Sequence, residues 1–332
     1  MALNGKVMVT GGAGYIGSHA VLALCDAGYD VVVVDNLVTG FAWAVDPRAT
    51  LVEANVADDI AVRAAIRDHN VRAIMHFAGS IIVPESVSDP LKYYRNNTAA
   101  TRSLIESAVT ESVPHFIFSS TAATYGTPVK VPIEETDPTA PINPYGMSKL
   151  MSEAMLRDVA AAHPMNYCAL RYFNVAGADP QGRSGQSTVG ATHLIKIAVE
   201  AATGKRAAVS VFGTDFDTPD GTGVRDYIHV SDLAAAHVAA LELLVAKPTQ
   251  SHTLNAGYNR GFSVNEVLDA VDRVTNMTIE RRYEGRRAGD PAALVADNRA
   301  ILAALPWRPQ RDNLDTIVKD ALAWERKLSE RQ

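Results

Sequence analysis

Residues 6–17 read KVMVTGGAGYIG. The apolar run Lys6–Thr10 is expected as a strand, and a helical pattern begins at Tyr15. Between them fall Gly11 and Gly14, with Gly17 in the first turn of the helix. Strand, glycine turn and helix in that order open a dinucleotide-binding unit. Gly11 allows the tight turn, Gly14 clears a side chain from the path of a pyrophosphate, and Gly17 lets the helix pack on the sheet. The helix N-terminus then faces the negative charge. Asp35, 18 residues beyond Gly17, ends the next strand. A carboxylate there accepts both ribose hydroxyls of an adenosine and repels a 2′-phosphate, which favours NAD over NADP. Asn36, Thr39 and Gly40 add polar groups at the same edge. Asn55, ending the third strand, can accept from an adenine amino group or simply serve a turn.

Outward from this unit the pattern repeats. Helix Tyr15–Ala27 is ended by Gly28, and Asp30–Asp35 sets four valines between aspartates. Strands are expected at Thr50–Asn55, Val71–Ala78, His115–Ser120 and Asn166–Phe173. Helices are expected at Asp59–His69, from Pro90 to about Ser112, and at Asn143–His163. Strands alternating with helices predict a parallel sheet covered on both faces. After Asn174 the rhythm loosens. Polar, glycine-rich loops (177–190, 213–223) separate a helix ending near Gly204 from a helix at Ser231–Ala246, a strand at His252–Ala256, a helix at Ser263–Asn276 and two closing helices. The expected class is α/β: a Rossmann-type doubly wound parallel sheet with a smaller C-terminal α/β substrate-binding lobe. Residues 1–174 form the NAD-binding domain with returning segments from the second half, and 175–332 mainly the lobe.

The bulk numbers narrow the function. In 332 residues, 47% are hydrophobic and 20% charged, the profile of an ordinary globular protein. A net charge of −6 argues against a nucleic-acid partner, so an anionic substrate has to be held by local cations. Cys25 and Cys168 lie in apolar stretches and are expected as buried free thiols, with no pairing suited to zinc. Met1–Thr10 lacks a leader pattern, and no run approaches the roughly 18 apolar residues of a membrane span, so the cytoplasm is the expected location. His19, His76 and His229 are expected as packed residues, and no metal is expected.

Tyr145-Gly146-Met147-Ser148-Lys149 carries the chemistry. Tyr145 and Lys149 stand one helical turn apart on one face. A free phenol titrates near 10 and is a poor base, but an adjacent ammonium and a positive nicotinamide ring favour its phenolate. Thr121, 24 residues earlier at the end of the HFIFSS strand, can hydrogen-bond the reacting oxygen and share the proton. Ligands of open α/β sheets bind at such strand ends.

GGAGYIGSH, DNL, HFAG, SSTAATYG, YGMSK, RYFNVAGA and GTGVRDYIHV occur in order from residue 11 to 230, and RRAGDPAALVAD extends the series to Asp297. The set resembles the UDP-glucose 4-epimerase family of extended short-chain dehydrogenases. The resemblance implies that Tyr145, aided by Thr121, takes the proton from the sugar O4 while the C4 hydride moves to NAD. The 4-keto sugar then turns over and the hydride returns to its other face. Lys149 also reaches the nicotinamide ribose. The resemblance adds Tyr15, Ile16, Val56, Phe77, Ala78, Gly79, Asn96, Ser119 and Tyr172 to the cofactor contacts. It places UDP against Asn174, Arg225, Arg287 and Asp290, with Tyr227 lining the sugar end; two arginines supply the local positive charge. At His193, where the family commonly has asparagine, a ring nitrogen or backbone near Leu194 can serve.

Two departures matter. Many members carry a lysine after HFAG, where this chain has Ser80-Ile81-Ile82, so weaker cofactor retention is expected. Leu294 stands where some members have a tyrosine that crowds the sugar C2 substituent, so tolerance of UDP-N-acetylhexosamines is expected. The resemblance also implies a homodimer formed by the helices near Asn97–Ser112 and Tyr145–His163; Leu104, Ile105 and Ala108 with Leu150, Met151, Ala154 and Met155 can line that interface or pack on the sheet. A 4,6-dehydratase needs an acid and base beside the catalytic threonine, where this chain has Ala122 and Ala123. UDP-uronate and UDP-pentose epimerases share the chemistry, though no extra cation for a uronate is evident. A non-enzymatic NAD sensor would not need the intact Tyr145–Lys149 pair.

Overall fold

The computed structural model describes residues 3–287 and 289–330. Among them the strands are β1 (Lys6–Thr10), β2 (Val31–Asp35), β3 (Thr50–Glu53), β4 (Val71–His76), β5 (His115–Thr121), β6 (Asn166–Tyr172), β7 (Asn174–Ala176), β8 (Val209–Phe212), β9 (Val224–His229), β10 (His252–Ala256), β11 (Gly261–Ser263), β12 (Arg281–Glu284) and β13 (Ala293–Leu294). Seven of them form one parallel sheet in the order β10-β6-β5-β4-β1-β2-β3. All of β2 (VVVVD) is buried, as a strand covered on both faces must be. Val7, Val9 and Val33 point to the layer of helices Tyr15–Asp26 and Val230–Ala246. Met8, Val34, Ile74 and Phe116 point to the layer of Asp59–Asp68, Ala100–Thr110 and Pro144–Ala162. The period of two in each strand divides these cores. Strand order reverses between β1 and β4, which opens the crevice where such sheets bind ligands.

β10 and the Val230–Ala246 helix lie beyond residue 174, yet they complete the large sheet and one of its layers. The remaining strands form two small sheets. β9 pairs with β7, β11 and β13, and β8 pairs with β12. Helices Leu194–Ala202, Val264–Thr275 and Leu314–Ser329 close a separate core with them. The Val264–Thr275 helix starts at a Ser263/Glu266 capping box and stops at Asn276 in the left-handed conformation.

The helix expected from Pro90 to about Ser112 is not uniform. It runs as a turn at Pro90–Tyr93, a π-helical turn at Tyr94–Ala99 and an α-helix at Ala100–Thr110. The wide turn coincides with a side-chain demand. Buried Asn97 accepts from the Ser80 N–H (2.7 Å) and donates to the Ser80 carbonyl (3.0 Å) and to Ser148 Oγ (3.0 Å). A short helix at Val83–Ser88 and the strands β7, β8, β9, β11, β12 and β13 also went unread. At two to six residues they are too short to show a period. Among the described residues no helix is long and apolar enough to cross a membrane.

Candidate functional site

The glycine turn joins β1 to the Tyr15–Asp26 helix at the reversal point. Gly11 has φ +71°, and a Cβ there would lie 2.6 Å from the Ala78 nitrogen. At Gly14 a Cβ would meet only the Gly11 carbonyl, at 3.3 Å, so this position faces open space. Gly17 differs from expectation. A Cβ there would collide with the Gly11 carbonyl, so the turn itself requires the glycine. Gly12 is the one that packs on the sheet, where a Cβ would lie 2.8 Å from Val33 Cγ1. Asp35 is buried at the end of β2. Its carboxylate accepts from the Ala13 N–H (3.0 Å) and the Leu37 N–H (2.9 Å). Each oxygen keeps a lone pair for a ribose hydroxyl.

The neighbouring candidates gather at the same strand ends. Phe77 and Ala78 both donate to the Thr10 carbonyl, at 2.9 and 3.1 Å. Gly79 backs onto Asn97, and Asn96 donates to Ser80 Oγ at 3.1 Å. Ile16 packs on the core and Val56 is buried, whereas Thr39 lines a cleft with Gly14 and Tyr15. Gly40 presses on Ala13. Asn36 and Asn55 close local turns, accepting from Val38 (3.2 Å) and Ala57 (2.9 Å). The turn bond uses one lone pair of Asn55 Oδ1 and leaves the other for an adenine amino group.

Asn143 caps the Pro144–Ala162 helix by accepting from the Gly146 N–H at 2.9 Å, which fixes where Tyr145 enters the crevice. Tyr145 is buried and hydrogen-bonded to Thr121, whose hydroxyl also accepts from the Ala123 N–H at 3.1 Å. Lys149 is buried one turn on; its Nζ donates to the Ser119 carbonyl (3.1 Å) and stands 5.0 Å from the Phe118 ring centre. Ser119 Oγ bonds the Tyr172 hydroxyl at 2.6 Å. Burial lowers the Lys149 ammonium to about 8, with Glu153 opposing. Burial pushes the Tyr145 phenol up, against the pull of Thr121. Activation of the phenol therefore needs positive charge brought to it.

A buried network behind this pair was missed in the sequence. Glu153, one turn beyond Lys149, makes a two-point pair with Arg171 (3.0 and 2.6 Å) and accepts from Ser120. Arg171 donates to the Tyr125 hydroxyl (2.9 Å), which donates to Asn255 (2.7 Å). The signals were present: Tyr145, Lys149 and Glu153 share the four-residue spacing of one helix face, and Arg171 interrupts the apolar strand NYCALRY. A charge in a buried strand requires a partner.

The substrate candidates come from three neighbouring strands. Asn174 on β7 is level with Tyr227 on β9, and Leu294 on β13 is level with Arg225. The largely buried Arg225 guanidinium donates to the Val224 carbonyl (2.8 Å) and the Ala292 carbonyl (3.5 Å) and is in no ion pair among the described residues. Asp226 turns away and accepts from the N–H groups of Tyr258 (3.0 Å) and Asn259 (3.1 Å). Desolvation lowers Arg225; Asp290 opposes and Arg287 adds to the effect. Arg287 is exposed, with its guanidinium 3.8 Å from the centre of the Phe212 ring. Leu294 packs against the cluster of Ala122, Tyr125 and Ile133, beside the turn that follows Thr121. His193 precedes the Leu194–Ala202 helix, with Nδ1 3.4 Å from Gln186 Nε2, and burial pushes its imidazole below the usual histidine value. His76 bridges the Thr10 and Thr101 hydroxyls at 2.6 and 2.8 Å, a packing role.

A family model described as NAD dependent epimerase/dehydratase family matches residues 7–257. A UDP-glucose 4-epimerase from Azospirillum brasilense is 52% identical over 329 residues, covering 99% of this chain and 94% of that protein. The crystal structure of UDP-glucose 4-epimerase from Brucella ovis in complex with NAD is 43% identical, with a TM-score of 0.93 and coverage of 96% and 98%. The UDP-Glc/GlcNAc 4-epimerase structure from Campylobacter jejuni is 45% identical, with a TM-score of 0.85 and coverage of 98% and 100%.

Proposed function

The chain belongs to the NAD dependent epimerase/dehydratase family, and from that premise we propose that it is an NAD-dependent UDP-glucose 4-epimerase interconverting UDP-glucose and UDP-galactose. The observation that carries the reading is the Thr121–Tyr145–Lys149 group set beside Ala122 and Ala123. The site has groups to move one proton at one oxygen, and no second acid–base pair for elimination.

The residues present suit NAD. The turn at Gly11 and Gly17 admits no Cβ, Gly14 is open, and the buried Asp35 carboxylate is aimed by two backbone N–H groups. Bound NAD supplies reversible hydride acceptance from the sugar C4. Tyr145 takes the O4 proton and gives it back. Thr121 orients that oxygen, and Lys149 fixes the ribose side and contributes positive charge. Arg225, short of a counter-charge, holds the diphosphate with Arg287 and Asn174, so the sugar can turn about its diphosphate link while UDP stays anchored. Leu294 leaves room at the sugar C2 position, which extends the substrate range to UDP-N-acetylhexosamines.

The enzyme acts as a homodimer in the cytoplasm. Leu104, Ile105 and Ala108 are taken up by the sheet core and Met155 packs against it, which leaves Leu150, Met151 and Ala154 for the partner; Met151 is 41% exposed. Two buried, unbridged cysteines suit a reducing compartment.

The test is to incubate the purified protein with UDP-glucose, add no cofactor, and follow the sugar anomeric proton by NMR. A UDP-galactose signal rising to a constant ratio is the expected result. No conversion even with added NAD would sink the UDP-glucose assignment.

A further inference from the structure

Tyr145 and Lys149 sit on the first two turns of the Pro144–Ala162 helix, and Glu153 follows on the third at the same four-residue spacing. The end of β5 ties all of them to the sheet. Thr121 bonds Tyr145, the Ser119 carbonyl accepts from the Lys149 ammonium at 3.1 Å, and the Ser120 hydroxyl donates to Glu153 Oε1. Arg171, level with Ser120 on β6, closes on the same carboxylate: Nε donates to Oε1 at 3.0 Å and Nη2 to Oε2 at 2.6 Å. The guanidinium is itself held. It donates to the Tyr125 hydroxyl at 2.9 Å and lies over that ring, 4.8 Å from its centre. Tyr125 in turn donates to Asn255 on β10, whose amide donates to the Ile133 carbonyl at 2.9 Å.

The proton and hydride steps use neither Glu153 nor Arg171, yet both are buried. A buried ion pair is often no more stabilising than an apolar pair of its volume, so its place behind the catalytic helix asks for another role. Charge supplies one. Lys149 is buried, and burial disfavours its ammonium. The other titratable groups about the catalytic pair are His76 on β4, Tyr172 on β6 and Tyr93, edge-on to Tyr145. Burial lowers His76 to about 3 and raises the Tyr93, Tyr145 and Tyr172 phenols, so none of them is anionic at neutral pH. Glu153 is the group that opposes the loss of the ammonium. Arg171 and Tyr167 stand toward its carboxylate from β6.

We propose that Glu153, anchored by Arg171 and Ser120, is a positioning residue that keeps Lys149 in its ammonium form beside Tyr145. The inference deepens the reading of this site as an epimerase centre and rests on it. Left free, a carboxylate four residues on would pair with Lys149 directly and draw Nζ away from Tyr145. Clamped by Arg171, it acts through its field and leaves Nζ on the Ser119 carbonyl.

The experiment measures kcat and KM for UDP-glucose against pH in the NAD-loaded wild-type protein, in Glu153→Gln, and in the double variant Glu153→Met/Arg171→Met. Without the carboxylate the ammonium gives up its proton more readily. The alkaline fall in kcat should therefore move to lower pH, by about 1 unit in Glu153→Gln, where Arg171 is left as an unmatched cation, and by less in the double variant. KM should hold, since the diphosphate is gripped elsewhere. One buried charge left alone destabilises a fold more than removal of both, so the double variant provides the test if Glu153→Gln does not fold. A wild-type pH profile in either folded variant makes the pair a framework element and overturns the proposal. Loss of the fold in both variants, or a wild-type profile with no alkaline fall, overturns it too. A wild-type protein that converts no UDP-glucose overturns the reaction, and the proposal with it.

Discussion

On the side of the crevice built by β1, β2 and β4, the polar groups arrive already satisfied. Asp35 accepts two backbone N–H groups, and Asn97 clips Ser80 to the catalytic helix. On the side built by β7, β9 and β13, Arg225 is largely buried with two carbonyls for hydrogen-bond partners and no ion pair among the described residues, and Arg287 rests on an aromatic face in solvent. Preorganised groups favour a tightly held cofactor, because little ordering remains to be done on binding. A buried cation short of a counter-charge destabilises the empty lobe and makes an anionic substrate its natural complement. The difference fits a site that keeps one ligand and exchanges the other.

Substitutions can break or sharpen that contrast. Tyr145→Phe should lower kcat by about 10²- to 10⁴-fold while bound NAD is retained, read by steady-state kinetics and cofactor extraction. Loss of NAD along with activity would mean the catalytic face is not separable from the cofactor side. Arg225→Met should raise the KM for UDP-glucose by about 10- to 100-fold, the worth of charge-assisted hydrogen bonds. The empty variant should melt no lower than the wild-type protein; a lower melting temperature would show that Arg225 is already satisfied without substrate.

Lys149 provides a pH test on the cofactor side. In the unfolded chain it titrates near 10.5 and in the fold at about 8, because burial disfavours the ammonium. Below pH 8 the folded state carries the full penalty, about 3 kcal/mol, offset in part by the bond to Ser119. The penalty fades as pH rises from 8 to 10.5. Inactive, cofactor-free Lys149→Met should therefore be more stable than wild type by about 1–3 kcal/mol at pH 7. That advantage should shrink in urea titrations at pH 10. An equal difference at both pH values would contradict the titration. The smallest effect is on selectivity: Leu294→Tyr should reduce turnover of UDP-N-acetylglucosamine relative to UDP-glucose by about 10-fold, within the range a pocket-filling change commands.

The same contrast explains what could be read from the sequence. The glycine turn, Asp35 and the Tyr145–Lys149 pair each announce themselves within a few residues, because the backbone geometry they need is local. The large sheet was legible because its strands are apolar runs joined by helices of regular period. The π turn at Tyr94–Ala99 was not, since the side-chain demand it coincides with, Asn97 reaching Ser80 and Ser148, is a long-range contact. The Glu153–Arg171 network and the two-residue strand carrying Leu294 likewise depend on partners distant in sequence. Gly17 was placed correctly in the turn but for another physical reason, a collision with Gly11 instead of packing on the sheet.

The most direct measurement follows the C4 hydrogen itself. UDP-glucose carrying deuterium at C4 is incubated with the protein in ordinary water, and the UDP-galactose formed is examined by mass spectrometry and NMR. Full retention of deuterium at C4 is predicted, because the hydride is taken and returned within one closed site. Exchange of that deuterium for solvent hydrogen would contradict the account, since it would mean that C4 is inverted by proton abstraction.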